Sequence, residues 1–326
     1  KLLLMDRLPD KLDWYKNGSN IIWTKAREVI KEELERRIRQ TISIKYNEGF
    51  PLEYDNRPVH NIMEDKLSKI LGEKYAASDQ VTDSIVKDSL ISTIATDEFQ
   101  LTPDEKKLAE EFLKFTKEVL WHLESIDKKT VPYEVVNLLV HSWSTSSANN
   151  IPISLAMQLA AREEFDPYQN SRIDHLESIK IGESTYNKYS PLLKKFIKGQ
   201  YNQTQKLLLS VKGDYIIAYR GMRTYIDPST PSDQIKLQPI SSFSLNYDIA
   251  TQFAGTDGTV LMSKIPKENV LSTFITGVGC LAEDEVTVLG NQPYKTFIIT
   301  PLIRKEYYDK TSPHSKPLHD LIGRNI

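Results

Sequence analysis

The stretch "SFSLNYDIATQFA", residues 242 to 254, changes its periodicity half-way along. Ser242, Phe243 and Ser244 alternate in polarity with the period of a strand, so both serines face one way and Phe243 the other. From Ile249 the apolar residues take helical spacing: Ile249, Ala250 and Phe253 are placed to enter a core, with Asn246 or Asp248 available as N-cap. A strand running straight into a short helix marks this region as mixed rather than all-helical.

On either side of it the texture is that of strands. "DYIIAYRG" (214–221), "KLQPISSFSL" (236–245), "TVLMSKIP" (259–266), "VLSTFITGVG" (270–279), "EVTVLG" (285–290) and "YKTFIITPLI" (294–303) are short and rich in β-branched and aromatic residues, and Gly, Pro, Asn or Asp separates them.

The preceding sequence is helical. "TKAREVIKEELERRIRQTI" (24–42) repeats Ile30, Leu34 and Ile38 between charges of alternating sign, a solvated face rather than a nucleic-acid stripe. In "LTPDEKKLAEEFLKFTKEVLWHL" (101–123), Thr102 and Glu105 form a capping box and Pro103 takes the first helical position; Leu108, Phe112, Phe115 and Val119 make one face. Two more helices are expected in 131–143 and 149–165, joined by the polar link at 144–150, and another from Tyr189 to about Lys212 and Gly213. The expected class is α+β: a helical lobe over 1–180, a mixed unit over 181–310 and a polar tail over 311–326.

Composition narrows the function. The chain has 326 residues with 42 Lys plus Arg against 44 Asp plus Glu, so no overall field draws it to nucleic acid or an anionic membrane. Cys280 is the single cysteine, which excludes an internal disulfide and a multi-Cys zinc site. No run of apolar residues suggests a membrane span, and "KLLLMDRLPD" is too short and too soon charged for a signal peptide, as expected of a fragment beginning at Lys1. His141 with Ser142 and Ser144 reads as a helix end and loop, since no metal-binding or nucleophile motif surrounds it.

Three places combine polar groups with strand contexts. Arg220 ends its strand and is followed by Gly221, which lets another backbone or a ligand approach, and its guanidinium matches phosphate or carboxylate. Ser242 and Ser244 share a face. Glu283 and Glu285 stand two apart at a strand entrance, where both project to one side and repel unless a cation or donors meet them; Asp284 between them points away, to solvent or a turn.

In chain order, "YRG", "SFSLNYDIATQFA" and "EDEVTVLG" resemble the R-S-E signature of mono-ADP-ribosyltransferases, a family of bacterial toxins and effectors, T-even phage enzymes and vertebrate ecto-enzymes. The resemblance covers 214–300 well and the helix from Tyr189 loosely. Phe243 stands where the family has a threonine, a change on the face away from Ser242.

The resemblance implies a fold with two packed β-sheets forming an NAD cleft, NAD as co-substrate and no metal. It implies roles as well. Arg220 grips the pyrophosphate, the Gly221 backbone holds the carboxamide, Ser242 orients Glu285 or contacts the nicotinamide ribose, Ser244 helps bind NAD, and Glu285 accepts from the ribose 2-hydroxyl and stabilises the ribosyl cation as nicotinamide leaves. Glu283 takes the acceptor arginine of a target protein, and Phe274 in "TFITGVG" either touches that acceptor or is a core aromatic. The family setting implies a secreted or injected effector acting in a host cytoplasm, or a phage-encoded protein in a bacterial one. Two alternatives stay open: the same NAD chemistry with another acceptor (water, another side chain or a nucleic acid), and a non-catalytic partner-binding protein; for the helical lobe over 1–180 the open roles are binding the target, capping the NAD cleft or joining a larger assembly.

Overall fold

The computed structural model describes residues 94–119, 130–144, 152–173, 176–209, 213–274, 276–280 and 283–301, together with Glu32 and Ile91. Glu32 apart, the expected helix at 24–42, the link beyond Ser144 and the tail at 311–326 lie outside the described residues.

A π-helical turn, Ile94–Glu98, precedes four helices: α1 (Pro103–Val119), α2 (Val131–Ser144), α3 (Pro152–Phe165) and α4 (Leu176–Leu208). The capping box of α1 is closed in both directions, the Glu105 amide donating to Thr102 Oγ1 at 3.3 Å and the Thr102 amide to Glu105 Oε2 at 2.8 Å. Along its inner face Phe112 is fully buried, with Leu108 and Phe115 packed beside it.

Helix α4 departs from its expected bounds. Its expected start is Tyr189, with Pro191 in the first turn where a proline is tolerated, yet the helix is continuous from Leu176 with Pro191 inside it. An internal proline forfeits one intrahelical bond, a cost of roughly 3 kcal/mol. Tyr189, Leu192, Leu193, Phe196 and Ile197 all enter the helical core around it, and each large apolar side chain so buried contributes about 1.5–3 kcal/mol. Packing therefore outweighs the local start signal, and the expected boundary between 180 and 181 falls within one helix. At the other end α4 stops at Leu208, short of the expected Lys212.

The strands are β1 (Tyr215–Met222), β2 (Ile240–Ser244), β3 (Thr259–Pro266), β4 (Val270–Thr273), β5 (Glu285–Leu289) and β6 (Lys295–Ile299), with α5 (Tyr247–Ala254) between β2 and β3. Asn246 caps α5, its side chain accepting from the Asp248 amide. The strands form one six-stranded sheet in the order β4-β5-β2-β1-β3-β6, with every pairing antiparallel. Two separate packed sheets, the expected arrangement, are thus corrected to one hydrogen-bonded sheet.

That sheet cannot be flat. Strands β3 and β4 stand four places apart, about 19 Å across a flat sheet, but only Lys267–Asn269 connects them, and so short a link reaches about 14 Å at most. The sheet must fold back on itself, and it does so where β1 meets β2 through the single pair Tyr219↔Ser244. Inside the fold, Ile216, Ala218 and Ile265 from one half pack with Phe243, Val270, Val286 and Val288 from the other. Outside it, Ile217, Tyr219 and Met262 meet Ala250 and Ala254 of α5, while Ile240, Leu271 and Leu289 join the core of the helical lobe. No described helix is long and apolar enough to cross a membrane.

Because β1 leaves β2 after one pair, the backbone of Ile240 takes a side chain as its partner. The Ile240 amide donates to Gln158 Oε1 at 2.6 Å, and Gln158 Nε2 donates to the Ile240 carbonyl at 2.9 Å. Gln158→Leu leaves both groups unpaired in a buried place, and each such loss costs about 1–3 kcal/mol. Guanidinium unfolding should therefore show a fall of about 2–4 kcal/mol in stability; a midpoint equal to that of the parent chain would contradict the lock.

Candidate active site

Arg220 lies near the C-terminal end of β1, where the fold of the sheet brings it over β2. Its Nη1 donates to the Ser242 carbonyl at 2.6 Å, and its guanidinium carbon stands 5.9 Å from the Phe243 ring centre. Burial draws the guanidinium below its ordinary pKa, and the nearby Glu285 charge opposes that shift. The group is half-buried, and one bond to a carbonyl leaves most of its five donors for an anion.

The need for Gly221 after it is steric. A Cβ at Gly221 would stand 2.0 Å from the Ala250 carbonyl oxygen and 2.6 Å from the Ala254 amide. The backbone that approaches closely is thus that of α5.

Glu285 opens β5 opposite Ser244 and is 4% exposed. The Cys280 amide donates to its Oε2 at 2.6 Å and the Trp143 indole Nε1 to its Oε1 at 3.4 Å. The Ser242 hydroxyl also bonds to the carboxylate. Burial pushes the Glu285 carboxyl above the usual range, against the hydrogen bonds from Ser242, Cys280 and Trp143 and the charge of Arg220. Ser242 therefore joins the ends of the site, its carbonyl taking Arg220 and its hydroxyl serving Glu285.

Glu283 does not share a strand face with Glu285. The strand begins only at Glu285, and the two preceding residues form a tight turn in which the Glu283 and Glu285 amides both donate to the Cys280 carbonyl, at 3.2 and 3.1 Å. Asp284 carries the turn with φ 48°, a left-handed value that Asp tolerates better than most residues. It is also fully buried, with Asn246 Nδ2 donating to it at 3.5 Å, so of the two expected roles, solvent or turn, it takes the turn. Glu283 itself is half-buried; burial first, then the Glu285 charge, push its carboxyl up to about 7.

The hydroxyl of Ser244 donates to the Glu283 carbonyl at 2.7 Å and accepts from the Asn246 amide at 2.9 Å. It thus links the turn that presents Glu283 to the cap of α5. Phe274 is 2% exposed and belongs to the core inside the folded sheet, so its ring has almost no surface left for an acceptor and it takes the core role of the two expected. Phe253 is also displaced from expectation: Ile249 and Ala250 are buried, but Phe253 is 47% exposed on α5.

The loop between β4 and β5 rests on α4. Thr204 and Thr276 hydroxyls meet at 2.7 Å, and the Val278 amide donates to Gln200 Oε1 at 3.3 Å. At Gly279 a Cβ would stand 2.6 Å from the Phe274 amide and 2.7 Å from the Glu285 carbonyl oxygen, so the loop closes tightly before Cys280 offers its amide to Glu285. Neither this amide nor Trp143 was legible in sequence. A backbone donor carries no residue signature, and Trp143 lies 142 positions from its partner.

Among the described residues no group of three or more His, Cys, Asp and Glu side chains is placed to hold a metal ion. No protein-family model, curated protein or solved structure matches the chain.

Proposed function

We propose that the chain is an NAD-dependent mono-ADP-ribosyltransferase that modifies an arginine of a target protein. The observation that supports this reading best is the linkage of Arg220, Ser242 and Glu285, drawn from three strands into one connected site. Nothing in the folding of the sheet requires a buried carboxylate next to a half-buried arginine.

The donor set suits NAD as substrate. Arg220 keeps donors free for the pyrophosphate. Glu285 is held by three protein donors, so its carboxyl oxygens are fixed in place before the reaction, and a preorganised carboxylate of this kind is most effective where positive charge develops. As the bond between ribose C1′ and the nicotinamide nitrogen breaks, its electron pair leaves with nicotinamide, which becomes neutral. A guanidino nitrogen then bonds to C1′ and gives up a proton. Glu283 is the group placed to take it, and a carboxyl near pH 7 is well matched to proton transfer at neutral pH.

The acceptor assignment has a pH signature. Glu283 is ionised only above about pH 7, so transfer to a guanidino compound should rise through that range relative to hydrolysis of NAD by water. Glu283→Gln should lower arginine transfer by about 100-fold or more while hydrolysis stays near the parent rate, as read with labelled NAD and a small guanidino acceptor. Transfer that survives this substitution would assign the acceptor elsewhere.

A further inference from the structure

Trp143 packs its ring into the helical core, where it is 6% exposed, yet its only polar atom is directed out of that core and into the site. A buried indole N–H ordinarily takes whatever acceptor lies near; here it takes one of the two carboxylate oxygens of Glu285. The other oxygen is held by the Cys280 amide. The helix turn that carries Trp143 is tied to its neighbours: the Ser154 hydroxyl of α3 donates to the Ser142 carbonyl at 3.1 Å, and the Ser142 hydroxyl to the Leu138 carbonyl at 2.7 Å. Together these bonds anchor the last turn of α2.

We infer that Trp143 is a positioning residue for Glu285, and that α2 and α3 are a working part of the site. This rests on the reading of Glu285 as the group that meets the ribosyl cation. The bond is long at 3.4 Å, as such bonds are before a substrate is bound, and it tightens when Glu285 carries its charge against a developing cation. The charged groups facing Glu285 are Arg220 from β1 and Glu283 from the turn; α2 and β2 supply the uncharged donors Trp143 and Ser242, and the loop supplies the Cys280 amide.

Trp143→Phe keeps an aromatic ring and removes the donor. The expected result is a fall of about tenfold in kcat for NAD turnover, the effect of one bond to a charged group, with KM for NAD little changed. The acid limb of the pH profile should also move to higher pH, because losing a donor to the carboxylate favours its protonated form. A merely structural tryptophan would lower the active fraction and scale kcat without moving that limb, and an unmoved limb would overturn the inference.

A second measurement needs no turnover. In 15N-labelled protein, the indole resonance that Trp143→Phe removes should shift in Glu285→Gln and titrate with Glu285 in the parent chain. A resonance indifferent to Glu285→Gln overturns the inference. A resonance that responds in a chain without NAD chemistry upholds the contact and discards the transferase reading.

Discussion

Glu285→Gln should lower ADP-ribose transfer by about 100- to 1000-fold, the loss that follows removal of one preorganised electrostatic partner of a transition state, while the chain remains folded. The side chain is nearly isosteric. Its carbonyl oxygen can take the Cys280 amide, and its NH2 can donate to the Ser242 hydroxyl, which turns to accept. Only the Trp143 N–H then faces a poorer partner.

The same substitution should reveal a trade between stability and function. Burial raises the Glu285 carboxyl above its ordinary value, so between the unfolded and folded values the native state binds more protons than the unfolded one. Stability then falls as pH rises through that window. Glutamine removes the dependence. Thermal unfolding of Glu285→Gln should match the parent at pH 4 and exceed it at pH 8; a variant less stable than the parent at pH 8 would show that the donors more than offset the burial.

Gly221→Ala should give the largest loss of stability among single-methyl changes in the sheet. The new Cβ would lie 2.0 Å from one backbone atom of α5 and 2.6 Å from another, and backbone cannot turn aside as a side chain can. Helix α5 must lift, weakening the contacts of Ala250 and Ala254 with Tyr219 and Met262. Overpacking of this kind costs about 3 kcal/mol. Chemical denaturation reads it directly, and a loss below about 1 kcal/mol would mean that α5 yields freely. NAD binding should weaken as well, since Gly221 adjoins Arg220 and α5 carries the exposed Phe253.

What the chain disclosed in advance follows the range of the interactions involved. The six strands and the Thr102–Glu105 capping box depend on neighbours a few residues away, and local pattern was enough to find them, though it ran β4 on to Gly279 where the strand ends at Thr273 and left the α5 cap open between Asn246 and Asp248. Helix α4 defied such a pattern, because the start signal at Pro191 competes with a core assembled from distant segments. The fold of the sheet was hidden for a similar reason: it is dictated by strand order together with one short connection, and pairing order is not written in periodicity.

At the site the division is similar. Arg220, Ser242 and Glu285 were identifiable by residue type and sequence order, and the structure joins them. Glu283 was identified too, but the alternation rule put it on the wrong geometry, since the left-handed Asp284 breaks the strand between the two acids. Ser244 turned inward to hold that break. Phe274 followed the hydrophobic pull that any phenylalanine beside a core feels.

The central claim is NAD cleavage coupled to an arginine acceptor, and nicotinamide release tests it most directly. The parent chain incubated with NAD should release nicotinamide, release it faster when a small guanidino compound is added, and yield a product heavier than that compound by one ADP-ribose in mass spectrometry. A chain that neither binds NAD nor releases nicotinamide, with or without the acceptor and across pH 6 to 9, would contradict the account.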